Sequence, residues 1–393
     1  MPPSIPASRP APPDRGAQPF VERAPVEPPF ITGPLSTCLD LIRFAAALVV
    51  LVCHAAQARL YEGWFPDVPL AQHYAVVVFF VLSGLVITTS VMRRPSGFVH
   101  YAIARAARIL PVSLAALAFS TLAFVVVTAL GGSPQHTDTY GRLSGMGTLL
   151  PLVFLSESPW GEGPVWNPPY WSLCYEVWYY ALFGAAVFLR GPARIGALAI
   201  FALLAGPRIL LMFPVWLVGV VLVLTPLARR IGPMAGALLV AAGLTGAWMH
   251  TEWVMPGLHL IRDLAGPYRD DLSFSRFALS DLLLALAVAT TFAGLRPLTN
   301  RWPAPWELLA GPARVLAGFS FTLYLFHWPL LLLAKTLGLT AGNSTAGFLL
   351  EVLALLAACH AISFVTERQS GRVRAWLERA VAQARERGPA LTA

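Results

Sequence analysis

Arg43 and His54 lie in one apolar, helix-length segment, LDLIRFAAALVVLVCHAAQ. Ionisable groups inside a membrane span are costly enough to imply a function. Eleven positions separate the two; at about 100° per residue this is roughly three turns plus 20°, so both side chains share a face. Along the axis they stand about 16 Å apart, about half of a hydrocarbon core of roughly 30 Å. One stripe thus carries a fixed cation near one surface and a titratable imidazole toward the other. Asp40, three residues before Arg43, falls on the same side and can pair with it. Glu176, in NPPYWSLCYEVWYYALFG, and His327, in SFTLYLFHWPLLLL, are further ionisable groups in apolar runs. A His base with a carboxylate nearby to orient it suits deprotonation of a hydroxyl. HYAIARAARILP places Arg105 and Arg108 at i, i+3, on one helical face just before Pro111. Guanidinium pairs suit a phosphate-bearing ligand, and Arg93, Arg94 and Arg43 could join them. Ordinary arginines facing lipid phosphates would leave the same trace.

These residues need spans to position them. The chain has 393 residues, 56% hydrophobic and 12% charged, against about 25% charged in soluble domains. The expected class is therefore an all-α, polytopic membrane protein. Apolar runs suggest roughly ten spans, at 39–58, 75–92, 111–130, 171–189, 195–206, 209–226, 233–249, 277–294, 313–333 and 345–365. The fifth is short and followed by Pro207, which suggests a re-entrant or broken segment. Residues 1–34 are Pro-rich with no apolar signal region and read as a disordered tail, followed by a membrane domain over 35–366. Residues 367–393 read as a basic, helix-prone tail along an anionic membrane face.

Net charge is +8, and the cations cluster in short loops between apolar runs. That is the positive-inside pattern and not a nucleic-acid footprint. It places both termini in the cytoplasm, with Arg142, Arg262, Arg269 and Arg276 as exceptions in the longer outer loops. In this topology His54, Glu176 and His327 all fall in the outer half of their spans. The four cysteines form no CxxC and read as small hydrophobes, so neither a disulfide framework nor a metal site is expected. His100 and His360 carry no expected role, and the Trp/Tyr cluster at 166–180 reads most simply as an interfacial belt. Ser83 and Gly84 read as small-residue helix packing. A transporter with span-embedded Arg, Glu and His is the main alternative to an enzyme.

Five motifs together resemble acyltransferase family 3, the integral-membrane O-acyltransferases. LDLIRFAAALVVLVCHA is similar to that family's first span, with its Arg–ten residues–His signature at Arg43 and His54. FFVLSGLVI resembles its second-span signature, with Leu85 where Phe is common, and RAARILP resembles its R-x-x-R-I-x-P motif. WSLCYEVWYY resembles WSL-x-x-E-x-x-FY, and SFTLYLFHWP resembles SY-x-x-YL-x-H-x-P, with Phe321 in place of Tyr. The resemblance implies transfer of an acyl group, often acetyl, from cytoplasmic acyl-CoA to a hydroxyl of an extracytoplasmic or membrane-associated acceptor. His54 would be catalytic, Glu176 would assist it or the acceptor, and Arg43, Arg105 and Arg108 would hold the CoA phosphates and thioester. Arg93, His327, Trp171, Ser172 and Tyr175 are expected to complete the substrate-binding surface. Acyl-CoA is a co-substrate, with no resident cofactor expected. The stand-alone form, without the SGNH hydrolase-like domain of some members, favours direct modification of a glycan, lipid-linked saccharide or secondary metabolite. Abundant Ala, Arg and Pro suggest a bacterial origin, and the expected location is the cytoplasmic (inner) membrane.

Overall fold

The computed structural model describes residues 29–66, 70–93, 97–132 and 141–387. Most of the expected N-terminal tail, and Arg94, lie outside the described residues. Among the described residues no strand forms. A single isolated bridge joins Tyr61 to Gly342.

Helix α1 (Gly33–Gln57) begins where Thr32, in extended backbone, accepts from the Leu35 amide at 3.4 Å. It carries Arg43 and His54 on one rod, as their spacing requires. Helix α2 (Ala71–Arg93) follows, and then α3 (Phe98–Ala129), which starts well before the expected 111. Pro111 lies inside α3 and does not end it, so Arg105 and Arg108 sit on the span itself. A short α4 (Gly145–Leu152) precedes α5 (Tyr170–Phe188), which carries Glu176. The two spans expected at 195–206 and 209–226 are halves of one element, α6 (Gly191–Leu224). It breaks at Gly206, whose φ of 75° is open to glycine but strained for other residues. Next come α7 (Pro233–Met249) and α8 (Thr251–Ala265), the latter in a stretch expected to be loop, and α9 (Ala278–Arg301). The span expected at 313–333 straddles a second break, where α10 (Pro303–Ala317) meets α11 (Ser320–Thr336) at 41°. Helices α12 (Thr345–Ser363) and α13 (Ser370–Arg387) end the described chain.

By length and apolarity, six of these helical stretches can cross a membrane, or seven if the bent pair α10–α11 is one span. The expected ten is therefore not reached. Helix α5 interleaves Tyr, Trp and Glu176 among its apolar residues, α7 has only 17 residues, and α6 counts once instead of twice.

The aromatic residues of α5 are core and not an interfacial belt. Tyr170, Tyr175 and Tyr179 are each 0% exposed. Each hydroxyl has an internal partner: the Pro151 carbonyl at 3.0 Å, Ser275 Oγ at 2.7 Å and the Ile209 carbonyl at 3.1 Å, respectively. Satisfied hydroxyls let these large rings pack at low cost. Around them α2 and α6 approach closely. A Cβ at Gly219 would land on the Val81 carbonyl oxygen, and one at Gly84 on that of Trp216. The small-residue reading of Gly84 thus holds, and the contact brings the Trp216 indole within reach of Ser83.

Between α4 and α5, outside the spans, Glu157 is 5% exposed, with Arg208 Nη1 3.8 Å from its carboxylate. Burial pushes its carboxyl up from 4.5 to about 7, and the Arg208 guanidinium opposes that rise only in part.

Two outcomes follow. Gly219→Ala forces α2 and α6 apart and lowers stability by about 1–3 kcal/mol, read as a lower melting temperature in detergent. A carboxyl raised on folding stabilises fully below its unfolded pKa and loses that contribution as pH rises through the folded one. Glu157 therefore costs stability progressively between pH 4.5 and about 7. Glu157→Gln removes this slope and raises stability above pH 7 by up to about 3 kcal/mol, measured by unfolding at a series of pH values.

Candidate functional site

A cavity of about 620 Å³ opens among α1, α2, α3, α5, α10, α11 and α13. It meets the break between α10 and α11, where Ala317, Gly318 and Ser320 form part of the wall. Irregular backbone at membrane depth is tolerated where it lines such a cavity. Five arginines line it, Arg43, Arg105, Arg108, Arg314 and Arg374, against two carboxylates, Asp40 and Glu176.

Each charge is placed by a partner. Arg43 pairs with Asp40 at 3.4 Å, the contact their spacing predicts. Arg108 Nη2 lies 2.8 Å from Glu367 Oε1, and its guanidinium sits over the Phe321 ring. Glu367 is 2% exposed. Its other oxygen accepts from the Thr322 amide at 3.0 Å and the Thr322 hydroxyl at 3.2 Å. A carboxylate thus sits at the positive N-terminal end of α11 and fastens α3 to it. Arg105 lies over the Tyr180 ring, with its Nε buried and without a hydrogen-bond partner among the described residues.

Glu176 ends a chain of hydrogen bonds whose direction is set by chemistry. The Trp216 indole can only donate, so Ser83 Oγ accepts from it at 3.1 Å. Ser83 then donates to the Tyr180 oxygen at 3.0 Å, and Tyr180 donates to Glu176 Oε1 at 2.5 Å. Ser83 therefore does more than pack. Ser172 also lines the cavity, 2.6 Å from the Tyr324 hydroxyl.

His54 and His327 come together from α1 and α11, with Nδ1 of His54 2.8 Å from Nε2 of His327. His327 Nδ1 is 3.1 Å from the Leu323 carbonyl, which can only accept. His327 therefore carries its proton on Nδ1, and its Nε2 accepts from His54 Nδ1. In the neutral pair this leaves a lone pair on Nε2 of His54. His54 is half-buried and its ring meets Trp328 edge-on at 4.7 Å, while His327 is 1% exposed. Helix α11 is itself held at this level. Pro329 has no amide hydrogen for the Leu325 carbonyl, and the Asn167 side-chain amide donates to that carbonyl at 3.1 Å instead. The histidines do not line the arginine cavity. Tyr324 does, and its ring centroid is 5.9 Å from that of His327.

Not every residue picked out in the sequence joins this site. Arg93 donates to the Ile31 carbonyl, anchoring the chain before α1, and does not line the cavity. Tyr175 points to Ser275, and Trp171 stacks on Phe274 at 4.5 Å; neither lines the cavity. Glu176 lies on the cavity wall, with no hydrogen bond to either histidine among the described residues. Conversely, Glu367, Arg314 and Arg374 belong to no motif: Glu367 and Arg374 fall in the stretch expected to be a membrane-surface tail, and Arg314 at the very start of the expected span 313–333. The buried pair His73–Asp281, at 2.8 Å, was also missed. Asp281 falls inside the expected span 277–294, so the argument that singled out Glu176 applied to it as well.

An acyltransferase domain family, acyltransferase family 3, matches residues 36–368. No curated protein and no solved structure matches the chain.

Glu367→Ala leaves the Thr322 amide unsatisfied and Arg108 without its carboxylate. The expected loss is about 1–3 kcal/mol, with faster proteolysis between α12 and α13, checked by thermal unfolding and limited proteolysis in detergent.

Proposed function

The chain belongs to acyltransferase family 3, and from that membership we propose that it moves an acetyl group from cytoplasmic acyl-CoA to a hydroxyl of an extracytoplasmic or membrane-associated acceptor. The acceptor class is a glycan or lipid-linked saccharide, and the setting is a bacterial cytoplasmic membrane with both termini inside. The observation that carries this reading is the tautomer of the His54–His327 pair, next to a cavity lined by arginines.

The donor's phosphates meet Arg43, Arg105 and Arg108, and its thioester extends toward the Ser172–Tyr324 end of the cavity. Nε2 of His54 takes the proton of the acceptor hydroxyl as that oxygen attacks the thioester carbonyl. Collapse of the tetrahedral intermediate expels the CoA thiolate, which takes the proton from the imidazolium. One C–O bond forms, one C–S bond breaks, and His54 returns to its starting tautomer. His327 is a positioning residue, since its Nε2 keeps the His54 proton on Nδ1. Glu176, fixed by Tyr180, offers a carboxylate to a second hydroxyl of the acceptor.

The test is transfer from radiolabelled acetyl-CoA by full-length protein in nanodiscs, with candidate glycans supplied. His54→Ala should lower donor consumption about 10²–10⁴-fold, the usual worth of a general base, with folding retained. Folded wild-type protein that consumes no acyl-CoA of any chain length would overturn the enzyme reading.

A further inference from the structure

We infer that Arg374 and Arg314 form an anion subsite on the cavity wall, built for the phosphate-bearing end of the donor. This rests on the reading of the cavity as a donor site. Neither residue belongs to a motif that the sequence singles out, and α13 lies beyond residues 36–368, the part the family shares. The C-terminal helix is nonetheless part of the wall: Ser370, Gly371 and Arg374 all line the cavity. Helix α13 packs against α3, the helix that carries Arg105 and Arg108.

Arg374 is held in place and does not trail into solvent. Its Nε donates to Glu378 Oε1 at 2.9 Å, one helical turn on. Its Nη2 lies 2.7 Å from Nε2 of His100 on α3. A guanidinium only donates, so that His100 nitrogen accepts. The other ring nitrogen of His100, Nδ1, lies 3.5 Å from Glu378 Oε1. Two side chains, one from each helix, thus orient one guanidinium on the cavity wall. Arg314 approaches from α10, with its Nε donating to the Ala310 carbonyl at 3.1 Å. Arg43 and Arg108 have carboxylate partners, as Arg374 has in Glu378. With Arg374 and Arg314, five arginines line the cavity against two carboxylates, a surplus of positive charge that suits a polyanionic ligand. Planar guanidinium forks suit phosphate better than a point charge does.

The experiment compares two donors in nanodiscs of neutral phosphatidylcholine: acetyl-CoA, and acetyl-pantetheine, which has the thioester but no phosphate. Arg374→Gln and Arg314→Gln should each raise KM for acetyl-CoA about ten- to a hundredfold, the worth of a charge-assisted hydrogen bond. With acetyl-pantetheine KM should change less than twofold, and kcat should hold for both donors. Adenosine 3′,5′-bisphosphate should compete in wild type and weakly in the variants, and Arg374→Lys should restore part of the loss. Equal losses for both donors would mean that α13 serves folding only, and would overturn the inference. So would a variant whose sole change is a lost response to anionic phosphatidylglycerol, since the site would then bind lipid headgroups. Wild-type protein that neither turns over acetyl-CoA nor binds the bisphosphate defeats the donor-site reading itself. Wild-type turnover with unaltered variants defeats the subsite alone.

Discussion

Charge in an apolar helical bundle is expensive unless each group brings a partner, and the arrangement of the cavity follows from how its charges are partnered. Glu367 is the clearest case. Nearly fully buried, it pairs with Arg108 and binds the first turn of α11. One carboxylate therefore sets the relation of α3, which supplies the cavity arginines, to α11, which supplies His327. Asp40 does the same locally for Arg43, and Tyr180 for Glu176.

The second organising device is the interruption of helices. The bend between α10 and α11 opens the cavity wall, and Gly206 breaks α6. Pro329 frees a carbonyl that Asn167 then satisfies, tying the segment before α5 to the level of the histidines. Tight packing elsewhere makes these breaks tolerable. The glycines at the crossing of α2 and α6 let two backbones touch, and that contact places the Trp216 indole against Ser83. The chain Trp216–Ser83–Tyr180–Glu176 is thus a product of helix packing.

Two regions of different chemistry result. An arginine-lined cavity suits a polyanionic ligand. Beside it, behind Tyr324, the histidine pair has its protons directed by the Leu323 carbonyl so that one nitrogen keeps a lone pair. Phosphate binding and proton transfer benefit from such separation, because a cation beside an imidazole disfavours its protonated form.

Much of this was legible in one dimension because helical periodicity is a local property. The spacing of Arg43 and His54, the pairing of Asp40 with Arg43 and the shared face of Arg105 and Arg108 all follow from 3.6 residues per turn. All-helical, membrane-embedded architecture follows from composition. Contacts between distant segments do not follow from spacing. Only the folded chain brings His327 Nε2 to His54 Nδ1 across 273 positions, and Glu367 to Thr322. It also turned Trp171 and Tyr175 into core, since their burial depends on Phe274 and Ser275 arriving from a loop a hundred residues away. Arg93 was diverted to a backbone carbonyl, and Arg374, in a polar tail with no motif, was brought to the cavity. The sequence determined which groups had to find partners inside an apolar bundle. Tertiary packing decided which partners they found, because that depends on helix crossings and breaks that no local pattern encodes.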